Sequence, residues 1–365
     1  MQWLLLIFII PYFYIILRIF INLKKIKPFL TVSKSNVTVS VIVACHNEEN
    51  NLPLLLKDIS AQDYDPDLFE VIIVDDCSTD NTSGIVSDFN GIKNLKLITN
   101  KGRGKKPAIR SGIDISSGHL IITTDGDCRC MEKWISSVAS FFEQKNPDMI
   151  IGPVSLKGTP GIFHRFQELE FLSLQGVTAG TAMEGNPAMC NGANLAFKKD
   201  TYLKHSANLH DEIASGDDIF FIHSLKKEPG NKILWLESDN AVVTTSTSET
   251  TGSFLNQRAR WISKAAAYDD KFTKILGLVT LLAVLVIIFT LIPGIFYPAF
   301  ISVFFTAIII KSVPDYLILK NTTIRYGRKD LMKWFLISEI IYPFYVFAVL
   351  LRSLRGGGSS RHIFL

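Results

Sequence analysis

The run LIITTDGDCRC, residues 120–130, ends an apolar, β-branched stretch with two carboxylates, Asp125 and Asp127, a single residue between them. Acids this close repel each other and lose hydration on burial, so a divalent cation between them is the natural remedy. Asp-Gly-Asp is also the composition of an ordinary turn, since both residue types tolerate turn dihedrals. Two more acid pairs occupy comparable places: Asp75-Asp76 after the apolar FEVIIV, and Asp217-Asp218 before the apolar IFFIHSL. An acid at either place could simply cap a helix or complement its dipole, a reading that fits Asp75 better than Asp76.

The segments around these acids alternate in period. VTVSVIVACHN (37–47) reads as a strand ending in polar residues, and EENNLPLLLKDISAQDY has apolar positions at helical spacing. FEVIIVDDCSTDNT is a second strand whose Ser and Thr can cap a helix, LKLITN a third, GRGKKPAIRSGIDISSG a Gly-rich loop and helix, and LIITTDGD a fourth strand. Such alternation predicts a mostly parallel sheet, and ligands of such sheets gather beyond the carboxyl ends of the strands, where Asp75, Asp76, Asp125 and Asp127 fall. ACHNEEN after the first strand holds no glycine, which disfavours a dinucleotide-binding turn, and NKGRGKKP lacks the earlier glycine and the hydroxyl of a phosphate loop. Cys128-x-Cys130 lacks zinc spacing and a second pair, and the histidines form no triad or zinc pattern.

The chain has 365 residues, 48% hydrophobic, with a mean hydropathy of +0.25, too apolar for a purely soluble protein. The excess is concentrated. WLLLIFIIPYFYIILRIFIN (3–22) is long enough to cross a bilayer, is followed by the basic LKKIK and by no small-residue cleavage site, and reads as an uncleaved anchor. A block from 275 to 313, broken at Pro293-Gly294, reads as a helical hairpin; 334–351, carrying Glu339 and Pro343, either spans or re-enters. Lys and Arg after the first segment and between the third and fourth place the polar block in the cytoplasm, a rule strained by Arg352, Arg355 and Arg361. The net charge of +4 is accounted for by these membrane-flanking residues and gives no case for nucleic acid, and the five cysteines assigned to a reducing compartment are read as packing residues.

Taken in order, VSVIVACHNEE, VIIVDDCSTDNT, NKGRGKKPAIRSG, TDGD, NGANLAF, SGDD and QRARW resemble the family 2 inverting glycosyltransferases of the GT-A fold, in particular the membrane-bound branch related to cellulose and hyaluronan synthases. The resemblance covers roughly 37–265. It implies an α/β GT-A (nucleotide-diphospho-sugar transferase) domain with a mostly parallel mixed sheet, flanked by transmembrane helices. It implies donor contacts at Ala44, Asp76, Lys105 and Asp125, with Asp76 accepting the ring N–H of uracil and Lys105 offsetting phosphate charge. Asp127, with Asp125, would hold Mn²⁺ or Mg²⁺ against the diphosphate. Asp218 would be the base that takes the acceptor proton, and one base suffices for inversion. The family has Glu-Asp where this chain has Asp217-Asp218, which leaves the role of Asp217 open. Gln257, Arg260 and Trp261 would line the donor and acceptor site, although an interfacial Arg/Trp anchor would look the same. Asn191, Gly192 and Asn194 match a loop near the donor sugar.

The expected organisation is an anchor and basic flank at 1–30, a catalytic domain at 36–270, a membrane region at 273–355 and a tail at 356–365. The expected protein is an integral membrane enzyme, of a bacterial inner or plasma membrane, with its catalytic domain cytoplasmic. It would move a hexosyl or N-acetylhexosaminyl group from a nucleotide-diphosphate sugar, most simply a UDP-sugar, to a carbohydrate or lipid-linked hydroxyl beside the bilayer. Sugar, acceptor, linkage, processivity and oligomeric state are not legible. The rivals are an inactive nucleotide-sugar-binding scaffold or sensor, and a small transporter, against which stands an expected lack of paired repeats and buried charges in the membrane segments.

Overall fold

The structure, a computed structural model, describes residues 2–31, 35–210, 213 and 216–356; the expected tail beyond 356 lies outside the described residues. Its strands are β1 (Val39–Cys45), β2 (Phe69–Asp75), β3 (Leu95–Thr99), β4 (Leu120–Asp125), β5 (Met149–Ile151), β6 (Val154–Lys157), β7 (Leu195–Lys198), β8 (Ile233–Trp235) and β9 (Val243–Ser246). Its α-helices are α1 (Ile10–Leu23), α2 (Leu52–Ser60), α3 (Thr82–Asp88), α4 (Lys105–Ile115), α5 (Trp134–Lys145), α6 (Ile162–Met183), α7 (Lys199–His205), α8 (Asp217–Lys226), α9 (Thr251–Ser263), α10 (Lys271–Gly294), α11 (Pro298–Arg325) and α12 (Phe335–Gly356). Packing divides the chain into a sheet unit, Ile26–Leu156 with Met189–Ser246, and a helical unit, Met1–Lys25 with Lys157–Ala188 and Thr247–Leu365. The segments 157–188 and 247–270, expected within one catalytic domain, thus pack with the apolar helices.

In the sheet unit seven strands run in the order β3-β2-β1-β4-β7-β5-β8. The first four neighbours are parallel, and β7 is antiparallel to both β4 and β5. Every residue of β2 and all but Ala44 of β1 are buried, which is why these strands are mostly Val and Ile, with buried Ser40 and Glu70 hydrogen-bonded to each other. The chain leaves β1 toward β2 and β3 on one side and returns to β4 on the other. Connections diverge at that point and leave a crevice beyond the carboxyl ends of β1 and β4, where Ala44 stands beside Asp125 in register. Helix α4 lies close on this sheet because Gly112 faces it; a Cβ there would meet Ile42 Cγ2 at 2.6 Å.

In the helical unit, Gln2–Leu23, Lys271–Gly294, Pro298–Arg325 and Lys329–Arg355 are each long and apolar enough to cross a membrane. The break at Pro293-Gly294 separates α10 from α11 as expected, while α11 runs on past 313 to Arg325. Helix α6 is a core helix: a Cβ on Gly176 would strike Thr322 Oγ1 at 2.5 Å, and one on Gly180 the Ile19 carbonyl at 2.6 Å. Small residues four apart are what let α1 and α11 approach it. The expected absence of buried charge in the membrane segments is corrected by α11 and α12. Lys311, 2% exposed, donates to Asp315 Oδ2 at 2.6 Å and to Glu339 Oε2 at 3.0 Å, while Tyr12 donates to Asp315 Oδ1 at 2.6 Å. Opposite charges one helical turn apart on α11 satisfy each other, so neither shows as an isolated charge in hydropathy.

Candidate active site

Asp125 is the last residue of β4, and its carboxylate accepts an ion-paired hydrogen bond from Lys105, the first residue of α4. Asp127 lies beyond the strand end, where Thr245 Oγ1 donates to its Oδ2 at 2.8 Å. Thr245 is brought there by a two-way backbone pairing of Arg129 with Thr244, at 2.8 and 2.9 Å, beside the short β6-β9 sheet. Burial pushes the Asp127 carboxyl above the usual aspartate range and Asp125 adds to the shift, against the pull of Thr245 and Lys105. Burial alone would lower the Lys105 ammonium, but Asp125, Asp217 and Asp218 hold it well above the ordinary lysine value. A third acid, missed in the sequence, joins the pair: a Cβ on Gly126 would meet Glu48 Cγ at 3.0 Å, and burial raises the Glu48 carboxyl, with further contributions from Asp127 and Asp125.

Asp76, 4% exposed, follows β2. Its Oδ1 accepts from Asn100 Nδ2 at 2.6 Å and its Oδ2 from the Gly104 N–H at 2.8 Å, so it clamps the Gly-rich loop that sets the start of α4. Gly104 has φ +95°, a conformation that favours glycine at this turn. Asp75 is spent locally, accepting from the Ser78 N–H at 3.1 Å and the Ser83 hydroxyl at 2.9 Å. The loops after β1 and β2 are stitched together through Asn47, which accepts from the Thr79 N–H at 2.8 Å.

Asp217 and Asp218 open α8 behind Gly216, whose φ is +94°. Asp218 Oδ2 accepts from the Gly192 N–H at 3.1 Å. A Cβ on Gly192 would lie 3.4 Å from Lys105 Nζ and 3.6 Å from Asp218 Oδ2, so the α4 lysine and the α8 acid converge on one glycine. Lys105, Thr123, Gly192, Asp217, Asp218 and Phe221 are among the residues that line a small cavity. The sheet unit therefore gathers Asp125, Asp127, Lys105, Asp217 and Asp218 beside the β1/β4 crevice.

Asn194 is placed differently from the expected donor-sugar contact. It is 2% exposed, accepts from Trp134 Nε1 at 3.0 Å and donates to the carbonyls of Pro153 and Ala241, each at 2.8 Å. These bonds tie the segments flanking β5 and β9 together, and the side chain is turned into the interior. Gln257, Arg260 and Trp261 lie on α9 in the helical unit, which begins with a Thr250/Ser253 capping box. The buried charged residue of that motif is Arg258, which donates to Glu170 Oε2 at 2.7 Å and lies over the Trp261 ring at 4.2 Å; Gln257 accepts from it as well. Sequence reading passed over Arg258 because nothing in the sequence pairs it with Glu170 on α6.

The donor set suits a hard divalent cation. The Asp125 and Asp127 oxygens and Cys128 Sγ lie within 4.8 Å of one another. Burial, with Asp125 and Asp127, pushes the Cys128 thiol far above its ordinary value, so the thiol stays protonated and the two carboxylates are the ligands on offer.

A seven-stranded mixed sheet with acids at the β4 end and a further acid pair opening α8 defines a GT-A nucleotide-sugar transferase fold. The same fold is found in the mannosyltransferase PcManGT from Pyrobaculum calidifontis, solved with GDP-mannose and Mn²⁺, at a TM-score of 0.60 and 18% identity over 98% of this chain and 100% of that one. Residues 40–200 match Glycosyl transferase family 2, and the chain carries a domain of that family. Among curated relatives, the poly-β-1,6-N-acetyl-D-glucosamine synthase of Staphylococcus epidermidis is 26% identical over 61% of this chain and 53% of its own length. The poly(ribitol-phosphate) β-N-acetylglucosaminyltransferase TarS of Staphylococcus aureus is 33% identical over 33% of this chain. The chain spans only 21% of that protein and about half of the synthase.

Proposed function

We propose that the chain transfers a sugar, with inversion, from a nucleotide-diphosphate sugar to a hydroxyl of a membrane-proximal, lipid-linked or carbohydrate acceptor. The observation that carries this reading is the convergence of Lys105 and Asp218 on Gly192, with Asp125 and Asp127 at the adjoining strand end. Asp218 accepts the acceptor's proton as the hydroxyl oxygen attacks the anomeric carbon; the sugar–phosphate bond breaks and its electron pair leaves with the diphosphate. Lys105 faces that diphosphate, and Asp76, whose oxygens keep lone pairs beyond their two present bonds, receives a base N–H. Mn²⁺ or Mg²⁺ held by Asp125 and Asp127 would neutralise charge developing on the leaving group. The apolar helices keep the reaction beside the bilayer, with the sheet unit on the cytoplasmic side that the basic flanks indicate.

The test is calorimetric binding of UDP and GDP to detergent-purified protein, with and without Mn²⁺, alongside turnover of UDP- and GDP-sugars. Metal-dependent binding lost in Asp127→Ala, and transfer reduced about 10²–10⁴-fold in Asp218→Asn with binding retained, are expected. Binding without any turnover by the wild type would make the chain a nucleotide-sugar-binding scaffold; no binding would overturn the donor site.

A further inference from the structure

Beside Lys105 stands a second lysine with a different occupation. Lys106 is 3% exposed, and its ammonium donates to three main-chain carbonyls: Leu209 at 2.7 Å, His210 at 2.8 Å and Ile213 at 3.0 Å. The same ammonium lies 5.5 Å from the centre of the Phe220 ring, in the first turn of α8, and that ring packs on His210 at 4.6 Å. One turn further along α4, Arg110 donates to the Ser206 carbonyl at 3.1 Å. The cationic face of α4 thus grips the carbonyls of Ser206, Leu209, His210 and Ile213, which precede Asp217 and Asp218 in sequence, and meets α8 directly at Phe220.

The cost of this arrangement suggests its use. A buried ammonium loses its hydration and has to be re-solvated by fixed polar groups, a demand that a methionine of similar volume would not make. What methionine would lack is a fixed geometry. Adjacent residues on a helix point about 100° apart, so the first turn of α4 directs Lys105 to Asp125 and Lys106 to the approach to α8. Resting on the proposed function, we infer that Lys106 is a positioning residue that sets Asp218 at a fixed distance from the Lys105–Asp125 pair, and so sets the base against the donor.

Lys106→Met, with Lys106→Arg as the conservative partner, tests this against wild type and Asp218→Asn. Lys106→Met should lower kcat at least tenfold while UDP–Mn²⁺ affinity and donor KM stay within about twofold, and Lys106→Arg should recover part of kcat. Hydrogen exchange supplies a readout that needs no activity: Lys106→Met should speed exchange across 206–222 and leave 39–45 and 120–125 as protected as in wild type. Unchanged exchange at 206–222, an unchanged kcat, or a uniform loss of nucleotide affinity and protection everywhere would each overturn the inference. If wild type and Asp218→Asn turn over donor equally, the proposed function fails instead, and the exchange result alone decides whether Lys106 holds the segment.

Discussion

Asp125, Asp127 and Asn194 show how differently similar signals resolve. The two aspartates were legible because their spacing and their place at the end of an apolar run are local facts. Asn194 looked equally polar and equally loop-borne, yet its partners, Trp134, Pro153 and Ala241, are set by tertiary structure. Asn194→Ala leaves one indole donor and two carbonyls unsatisfied in the interior, at about 1–3 kcal/mol for each such group. The apparent Tm should fall by roughly 6 °C or more, while UDP affinity of the folded protein stays at the wild-type value; a selective loss of nucleotide affinity with Tm intact would return Asn194 to the donor site. Glu48 and Lys106 escaped notice for the same reason, since an acid in EENNLPLLL and a lysine in GRGKK look solvated until the neighbouring strand or loop arrives.

Strands β1, β2 and β4 were readable because burial on both faces favours runs of Val and Ile, and half-exposed β3 showed through its alternating LKLIT, whereas β5 and β8, three residues each, are too short to carry a period. The antiparallel insertion of β7 left no local signal either. Within the readable part, Glu70 of β2 anchors the end of the sheet opposite the acids. Burial would raise its carboxyl, but Lys96, Ser117 and Ser40 pull it from the ordinary 4.5 to about 2. A folded-state value below the unfolded one means that ionised Glu70 stabilises above pH 4.5, and that the contribution is lost as pH falls from 4.5 toward 2. Glu70→Gln should therefore lower the apparent Tm at neutral pH by roughly 2–8 °C, for a loss on the order of 1–2 kcal/mol. Scanning fluorimetry should show the gap to wild type closing as pH drops below 4.5; a gap independent of pH would mean that shape rather than charge is what Gln changes.

Across the whole chain, the apolar helices are held by more than apolar contact. Lys311→Met would leave Asp315 and Glu339 buried without their cation, a loss of about 3–5 kcal/mol. The yield of monodisperse detergent-extracted protein should drop sharply, and the double variant Lys311→Met/Glu339→Gln should recover part of it; equal yields would show the ion pairs to be dispensable. These pairs also join distant parts of the chain: Tyr12 meets Asp315 303 positions later, and Arg325 reaches the Leu23 carbonyl 302 positions back. At about 5–20 residues added per second, the first helix leaves the ribosome roughly 15–60 s before its partners exist. Every segment of the sheet unit is made by residue 246, before α10 begins at Lys271. Biosynthesis therefore passes through a state in which the sheet unit can already be folded while a solitary, apolar α1 has no helical partner, its Tyr12 hydroxyl in need of an interim acceptor.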